Sequence, residues 1–315
     1  MDIKITNDDI ENININKYNF LDLDNFLKLY YNNDNNNDLS KFIIRIYFSR
    51  TSICAYKHFI IDLYKDDNDK IKINNILSNF TGKKILFIHD MHDYTISNGY
   101  PEFFNYCKNI KIDYVISNYS NNFEYDIIRN GLTNIRIPIA TIPNLINTNI
   151  FKNYNIDKCY DILIYGNMAG CYPFRRRMLK ILEENTSNWK VRIIKFNELT
   201  TQELSKEINK SYLSVATKSI YDYLVCKYFE IPFSNSLIVG DMPIQGYEIF
   251  KEYYLDINNN MNDEEIICKI TDFLNNKDMI IKKIEELNDK LFLLSADYKI
   301  YYHIKAMDYF LNNQL

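Results

Sequence analysis

The feature that most constrains this chain is a repeated alternation of short β-rich apolar runs with helix-patterned segments. The first set of runs is "KFIIRIYFS" at 41–49, "KKILFIHD" at 83–90, "IDYVISN" at 112–118 and "NIRIPIA" at 134–140. Between them, 53–65 and 121–130 read as helices, the second ended by Asn130-Gly131, a pair suited to the left-handed turn that closes a helix. When a helix separates two paired strands it carries the chain back across the sheet, so the strands lie parallel and helices cover both faces. The pattern predicts an α/β domain of the doubly wound kind.

A polar segment, "TIPNLINTNIFKNYNIDKCY" at 141–160, then breaks the pattern with Pro143 and a cluster of asparagines, and reads as a linker. Afterwards the alternation restarts: "YDILIYG", a helix "FRRRMLKILEEN", "WKVRIIKF", a helix "TTQELSKEINKS", "YLSVAT" and "SLIVGD". Helices are predicted around 263–275, around 277–293 and from about 297 onward. The expected organisation is two Rossmann-like doubly wound halves, 1–150 and 151–296, with a last helix over 297–315. Such halves place a cleft between the carboxyl ends of their strands, where sheets of this kind bind ligands. The first forty residues are expected to be a loose element, a short helix candidate "FLDLDNFLKLYY" followed by the polar run "NNDNNND".

Composition enters by exclusion. At 315 residues with 47% hydrophobic content, the chain has enough apolar material for two cores. A net charge of -4 gives no electrostatic reason for a nucleic-acid partner, which calls for a basic face. The six cysteines show neither CxxC spacing nor the density of a disulfide framework, and no leader pattern opens the chain, so a reducing, cytoplasmic setting is expected. No apolar run approaches the ~20 residues that span a bilayer, leaving at most peripheral membrane contact. With 7 glycines and 6 prolines among 315 residues, each one retained is expected to hold a backbone position other residues cannot adopt.

Three stretches carry chemistry. In "YDILIYGNMAGCYPFRRRMLK" a strand ends at Gly166, a loop with Asn167 and Gly170 follows, and a helix begins near Pro173 with Arg175, Arg176, Arg177 and Lys180 in its first turns. Cations there oppose the helix dipole unless an anion compensates, and backbone N–H groups at a helix start suit a phosphate. The competing reading is a set of solvated arginines. In "DYLVCKYFEIPFSNSLIVGD", from 222, Glu230 sits at a helix start, where a carboxylate either caps the helix or accepts two neighbouring ribose hydroxyls. Asp222 lies in the preceding loop, and Lys218 and Lys227 add positive charge. In "ILFIHDMHDY" the strand ends at His89, followed by Asp90, His92 and Asp93; a metal cluster, a sugar-hydroxyl or acid/base contact, and plain polar loop residues are the three readings. The spacing matches no common metal pattern, so hydroxyl recognition by His89 is expected.

Taken in order, these pieces resemble the GT-B glycosyltransferases, in particular the family-4-type (group 1) enzymes and the CgeB-like branch. The resemblance rests on "FIHD" with His89, "DYVISNYS", "IPNLINTNIF" at 142–151, "YGNMAGCYPFRRR", and the acidic-x7-Glu element from Asp222 to Glu230 followed by "IPFSNSLIVGD". It covers roughly residues 83–300. It implies a nucleotide-sugar donor, UDP- or GDP-linked, held mainly by the second domain; an acceptor that is a glycan, glycoprotein or lipid-linked hydroxyl on the first; no essential metal; and a final helix that returns to the first domain. It further implies that Glu230 binds ribose, Asp222 contacts the transferred sugar, Arg175 or Arg176 the diphosphate, and His89 the donor sugar. Asn167 stands where the family has arginine, and Asp222 where it has glutamate. A sugar transfer with retention is the leading expectation. A nucleotide-sugar 2-epimerase of the same fold, or a non-catalytic nucleotide- or glycan-binding module, are the alternatives.

Overall fold

The computed structural model describes residues 3–4, 13–22, 25, 42–47, 75–88, 105, 107–119, 139–168 and 170–312. The chain divides into two compact units, Met1–Pro143 with Ile300–Leu315, and Asn144–Lys299.

The first unit is built on a parallel sheet of β1 (Ile3–Lys4), β2 (Asn19–Asp22), β3 (Phe42–Tyr47), β4 (Lys83–Ile88), β5 (Tyr114–Ser117) and β6 (Ile139–Thr141). Their order in space is β1-β6-β5-β4-β3-β2. The central strands β4 and β5 are almost wholly buried, as continuous apolar runs in a two-sided parallel sheet should be. Lys84 inside β4 survives burial by sending its amine to the Phe80 carbonyl, 3.1 Å away. The last helix of the chain (Lys299–Asn312) supplies Tyr302, Ile304, Met307 and Phe310 to this core, Phe310 stacking on Tyr114 at 4.4 Å between ring centroids. Its Asp308 accepts from the Tyr18 hydroxyl at 2.7 Å.

In the stretch "FLDLDNFLKLYY", Phe20–Asp22 belongs to the strand Asn19–Asp22 where a helix is expected, and Asn25 is helical; its other residues lie outside the described ones. Pairing decides it. Asn19–Asp22 lies residue for residue beside Phe42–Arg45, and that ladder overrides local helix preference at a sheet edge. The helices expected at 53–65 and 121–130 lie outside the described residues.

The second unit holds β7 (Tyr160–Tyr165), α1 (Pro173–Glu184), β8 (Val191–Ile194), α2 (Thr201–Asn209), β9 (Ser211–Val215), α3 (Lys227–Phe233), β10 (Leu237–Gly240), α4 (Tyr247–Phe250), β11 (Tyr254–Asp256), α5 (Asp263–Leu274) and α6 (Lys277–Leu291). The final helix becomes α7. All five strands are parallel, in the order β11-β10-β9-β7-β8. Helix starts follow local chemistry. Pro173 opens α1, where its missing N–H costs nothing, and capping boxes of Thr200 with Glu203 and Asn262 with Glu265 open α2 and α5. Phe174, Met178, Ile181 and Leu182 of α1 join Ile266 and Ile270 of α5 and Ile280 and Ile284 of α6 over the Ile162, Leu213, Leu237 face of the sheet. β11 and α4 have no counterpart in the sequence reading, being too short for periodicity to register.

The expected linker at 141–160 is more structured than its composition implied. Thr141 closes β6, and Ile146 bridges Ser295: the Ile146 N–H donates to the Leu294 carbonyl at 2.8 Å and the Ala296 N–H to the Ile146 carbonyl at 2.7 Å.

Candidate functional site

In the second sheet the chain winds from β7 outward to β8, then returns to the other side of β7 to lay down β9, β10 and β11. The loops leaving the carboxyl ends of β7 and β9 therefore diverge, and this switch point is where such sheets open a crevice. Gly166 ends β7 with φ +93°, a left-handed backbone that favours glycine. A Cβ there would stand 2.7 Å from Lys227 Nζ and 3.6 Å from Arg175 Nη1. Two cations thus converge on the spot a side chain would fill.

Arg175 comes from the first turn of α1, a helix start with no side-chain cap and no acidic residue. It is only 3% exposed, with Nη1 donating to the Asn167 carbonyl at 2.9 Å, Nη2 to the Thr217 carbonyl at 3.2 Å and Nε to Thr217 Oγ1 at 3.3 Å. Its plane lies 3.8 Å from the Tyr172 ring centroid. Arg175 thereby ties the loop after β7 to the loop after β9, and a guanidinium with five N–H groups retains donors beyond these bonds. Lys227, the first residue of α3, is 7% exposed; its amine donates to the Tyr165 carbonyl and sits 3.8 Å from the Tyr165 ring centroid. Every hydrogen-bond partner of both cations is a neutral oxygen, and no carboxylate reaches ion-pair distance of either among the described residues. Burial, with the Arg175 charge adding to it, holds the Lys227 ammonium well below its ordinary pKa, only partly opposed by Glu230.

Glu230, in the first turn of α3, accepts from the Tyr165 hydroxyl at 3.0 Å through Oε2. Burial raises its pKa, while Lys227 and the tyrosine bond pull it back. Tyr165 is pushed well above its usual value, by burial first and then by the adjoining carboxylate. It stays a hydroxyl donor.

One strand further along, the loops after β9 and β10 are acidic. Asp222 closes a turn onto the Ser219 carbonyl with φ +56°, and its Oδ2 accepts from the Ile244 N–H at 3.2 Å. Its Oδ1 lies 3.0 Å from Lys218 Nζ, yet no aligned hydrogen bond reaches that oxygen, so the contact is electrostatic. Asp241, following Gly240 at the end of β10, accepts from the Lys218 N–H at 2.9 Å.

The three consecutive arginines part company. Arg175 faces inward, Arg176 is exposed, and Arg177 turns to the start of α5, pairing with Asp263 at 2.6 Å and donating to the Met261 carbonyl at 2.6 Å. His89, Asp90, His92 and Asp93 lie outside the described residues. Residues that sequence reasoning left out are Tyr165, Thr217 and Asp241, together with Phe196, an aromatic 65% exposed two positions past β8 on the same carboxyl edge. Among the described residues no three His, Cys, Asp or Glu side chains gather as metal ligands, and no helix is long and apolar enough to cross a membrane.

No protein-family profile matches the sequence, and no curated protein matches it. Solved structures do. An alpha-glucosyltransferase, in complex with UDP-glucose and DNA containing an abasic site, is 11% identical, with a TM-score of 0.54 over 84% of this chain and 80% of that one. A sucrose-phosphate synthase from Thermosynechococcus elongatus is 10% identical, with a TM-score of 0.53 over 98% of both chains. TarM of S. aureus, in complex with Fondaparinux, alpha-GlcNAc-glycerol and UDP, is 16% identical, with a TM-score of 0.51 over 90% of this chain and 58% of that one.

Proposed function

We propose that this chain, which has the GT-B fold of those proteins, is a glycosyltransferase that moves a sugar from a nucleoside-diphosphate donor to a hydroxyl-bearing acceptor. The observation that carries the reading is the pair of buried cations, Arg175 and Lys227, meeting beside Gly166 with no carboxylate at ion-pair distance of either among the described residues. Two cations held out of water beside each other are costly, and an anion of two or more charges in the crevice offsets that cost. A diphosphate suits the pair: the guanidinium and the ammonium supply N–H donors to its oxygens, and Gly166 leaves room for the amine to reach the end of the strand. Arg176, exposed on the same turn, is a second candidate for the outer phosphate.

In the transfer, the bond from the anomeric carbon to the diphosphate oxygen breaks and its electron pair stays on the phosphate, while the acceptor oxygen bonds that carbon and its proton passes to the departing diphosphate. Arg175 and Lys227 meet the charge as it grows, which is the role a metal fills in other nucleotide-sugar chemistry, so we assign a metal-independent reaction. We assign Glu230 to accept from the pentose, Asp222 and Lys218 to contact the sugar, and Phe196 to face the base, either uracil or guanine; the Glu230 carboxylate beside the Tyr165 hydroxyl, the Asp222–Lys218 pair and the exposed Phe196 ring support this assignment. Retention of configuration, a role for His89 and an acceptor held by the first unit complete the reading. The acceptor class is a glycan, glycoprotein or lipid-linked hydroxyl, and the net charge of -4 speaks against a nucleic-acid acceptor.

A thermal-shift and calorimetry screen over UDP, GDP and their sugars tests this, followed by donor hydrolysis on any hit. At least one nucleoside diphosphate should raise the melting temperature; a chain unmoved by the whole set would end the donor reading. Isomerisation of the donor with no acceptor present would instead identify an epimerase.

A further inference from the structure

We infer that the sugar on the donor is uncharged, and that Asp241 with Asp222 excludes sugars carrying a ring carboxylate. This rests on the donor reading above. The carboxyl edge of the second sheet runs β8, β7, β9, β10, and its charge changes sign along that line. The cations sit at β7, where Gly166 ends the strand. Thr217, just past β9, is the residue that Arg175 grips, and the very next N–H, that of Lys218, donates to Asp241 at 2.9 Å. The acidic group is thus one residue from the phosphate cradle. It contains two carboxylates and one ammonium, that of Lys218, 3.0 Å from Asp222.

Asp241 is held there by the backbone. Gly240 has φ +150°, and a Cβ on it would lie 1.7 Å from the Ala216 carbonyl oxygen, so β9 and β10 end pressed main chain to main chain. The side chain that follows is 8% exposed, in a half-dry environment where like charges repel several times more strongly than in water. A diphosphate over Gly166 presents its next group to this place. Sugar hydroxyls donate to carboxylates. A uronic or other acidic sugar brings a third carboxylate to two already sharing a single lysine.

The groups facing Asp241 are Lys218, Asp222, the Tyr254 hydroxyl from β11 and the Tyr228 hydroxyl, which donates to the Asp241 carbonyl at 2.7 Å. Burial, with Asp222 adding and Lys218 opposing, raises the Asp241 carboxyl to about 6. Its charge is therefore present at slightly alkaline pH and fades as the pH falls through that value, and the exclusion should fade with it.

Titration calorimetry on the full chain, with UDP, UDP-glucose and UDP-glucuronic acid, and in parallel GDP, GDP-mannose and GDP-mannuronic acid, provides the test. In the series whose bare diphosphate binds, the acidic sugar should bind about tenfold or more weakly than the neutral one. Asp241→Asn keeps an oxygen for the Lys218 N–H and should narrow that gap to about threefold or less, with the bare diphosphate held within about twofold. Equal affinity of the wild-type chain for neutral and acidic sugars overturns the inference, as does Asp241→Asn weakening the bare diphosphate as much as the sugar nucleotide. If neither UDP nor GDP binds, the donor reading itself fails and this inference falls with it.

Discussion

Replacing Lys227 with methionine should make the protein more stable and a poorer binder at once. The amine is 7% exposed, has a carbonyl and a ring for partners, and lies beside a second cation. Glu230 favours the Lys227 charge without reaching ion-pair distance, so exchanging that amine for an apolar chain of similar length is worth up to about 4 kcal/mol. Against this stand the lost bond to the Tyr165 carbonyl, about 1 kcal/mol, and the lost contact with its ring, about 0.5–2 kcal/mol. A net gain of at most about 1–2.5 kcal/mol remains, equivalent to a rise in melting temperature of up to about 10 °C for a unit of this size. Nucleotide affinity should fall about 10- to 150-fold, the worth of one charge-assisted hydrogen bond. The pH dependence has a definite sign. A lysine whose folded pKa is depressed binds fewer protons folded than unfolded, so its penalty is full below the folded value and is relieved as pH climbs toward about 10.4. The stability gap between variant and wild type should therefore shrink in alkali. Lys158, lowered to about 7 by burial, adds a rise of the same sign to both proteins, leaving the gap as the readout. Differential scanning fluorimetry and calorimetry with UDP and GDP decide the matter: a destabilised variant with unaltered nucleotide affinity would show that Lys227 is a structural cation and that the anion site is misplaced.

Other substitutions separate parts of the site. Gly166→Ala should cost about 1–2 kcal/mol for the left-handed backbone and, by driving its Cβ to within 2.7 Å of Lys227 Nζ, weaken nucleotide binding too, seen by urea unfolding and titration. Glu230→Gln should weaken the donor by about 1–3 kcal/mol without lowering the melting temperature, because the native carboxylate is already penalised by burial; a drop in stability with full affinity would mark it as a helix cap. Arg177→Ala should cost up to about 1 kcal/mol of stability, since its pair with Asp263 is partly exposed, and leave nucleotide affinity alone.

Much of the architecture was readable in advance because strand and helix periods differ and the interior strands are long apolar runs. The edge strands β2 and β11 were not, since their conformation comes from a neighbour's ladder rather than from their own pattern. Gly166, Lys227 and Glu230 were legible as types of residue at the ends of elements. The arginine run shows the limit: successive helical residues point about 100° apart, so the three could not all turn the same way, and which one is buried depends on the face α1 packs. Asp241 was invisible for a different reason. Its closeness to Lys218 and Asp222 arises from β9 and β10 lying side by side, a tertiary fact that no spacing in the chain encodes.

The hydrogen bonds joining Ile146 to Leu294 and Ala296 stitch the incoming and outgoing chain of the second unit into one seam. A long excursion is thereby reduced to a cassette hung from neighbouring threads. Such a module invites transplantation: the two chains run parallel across the seam, so an artificial splice that doubles back along it would close the unit into a ring.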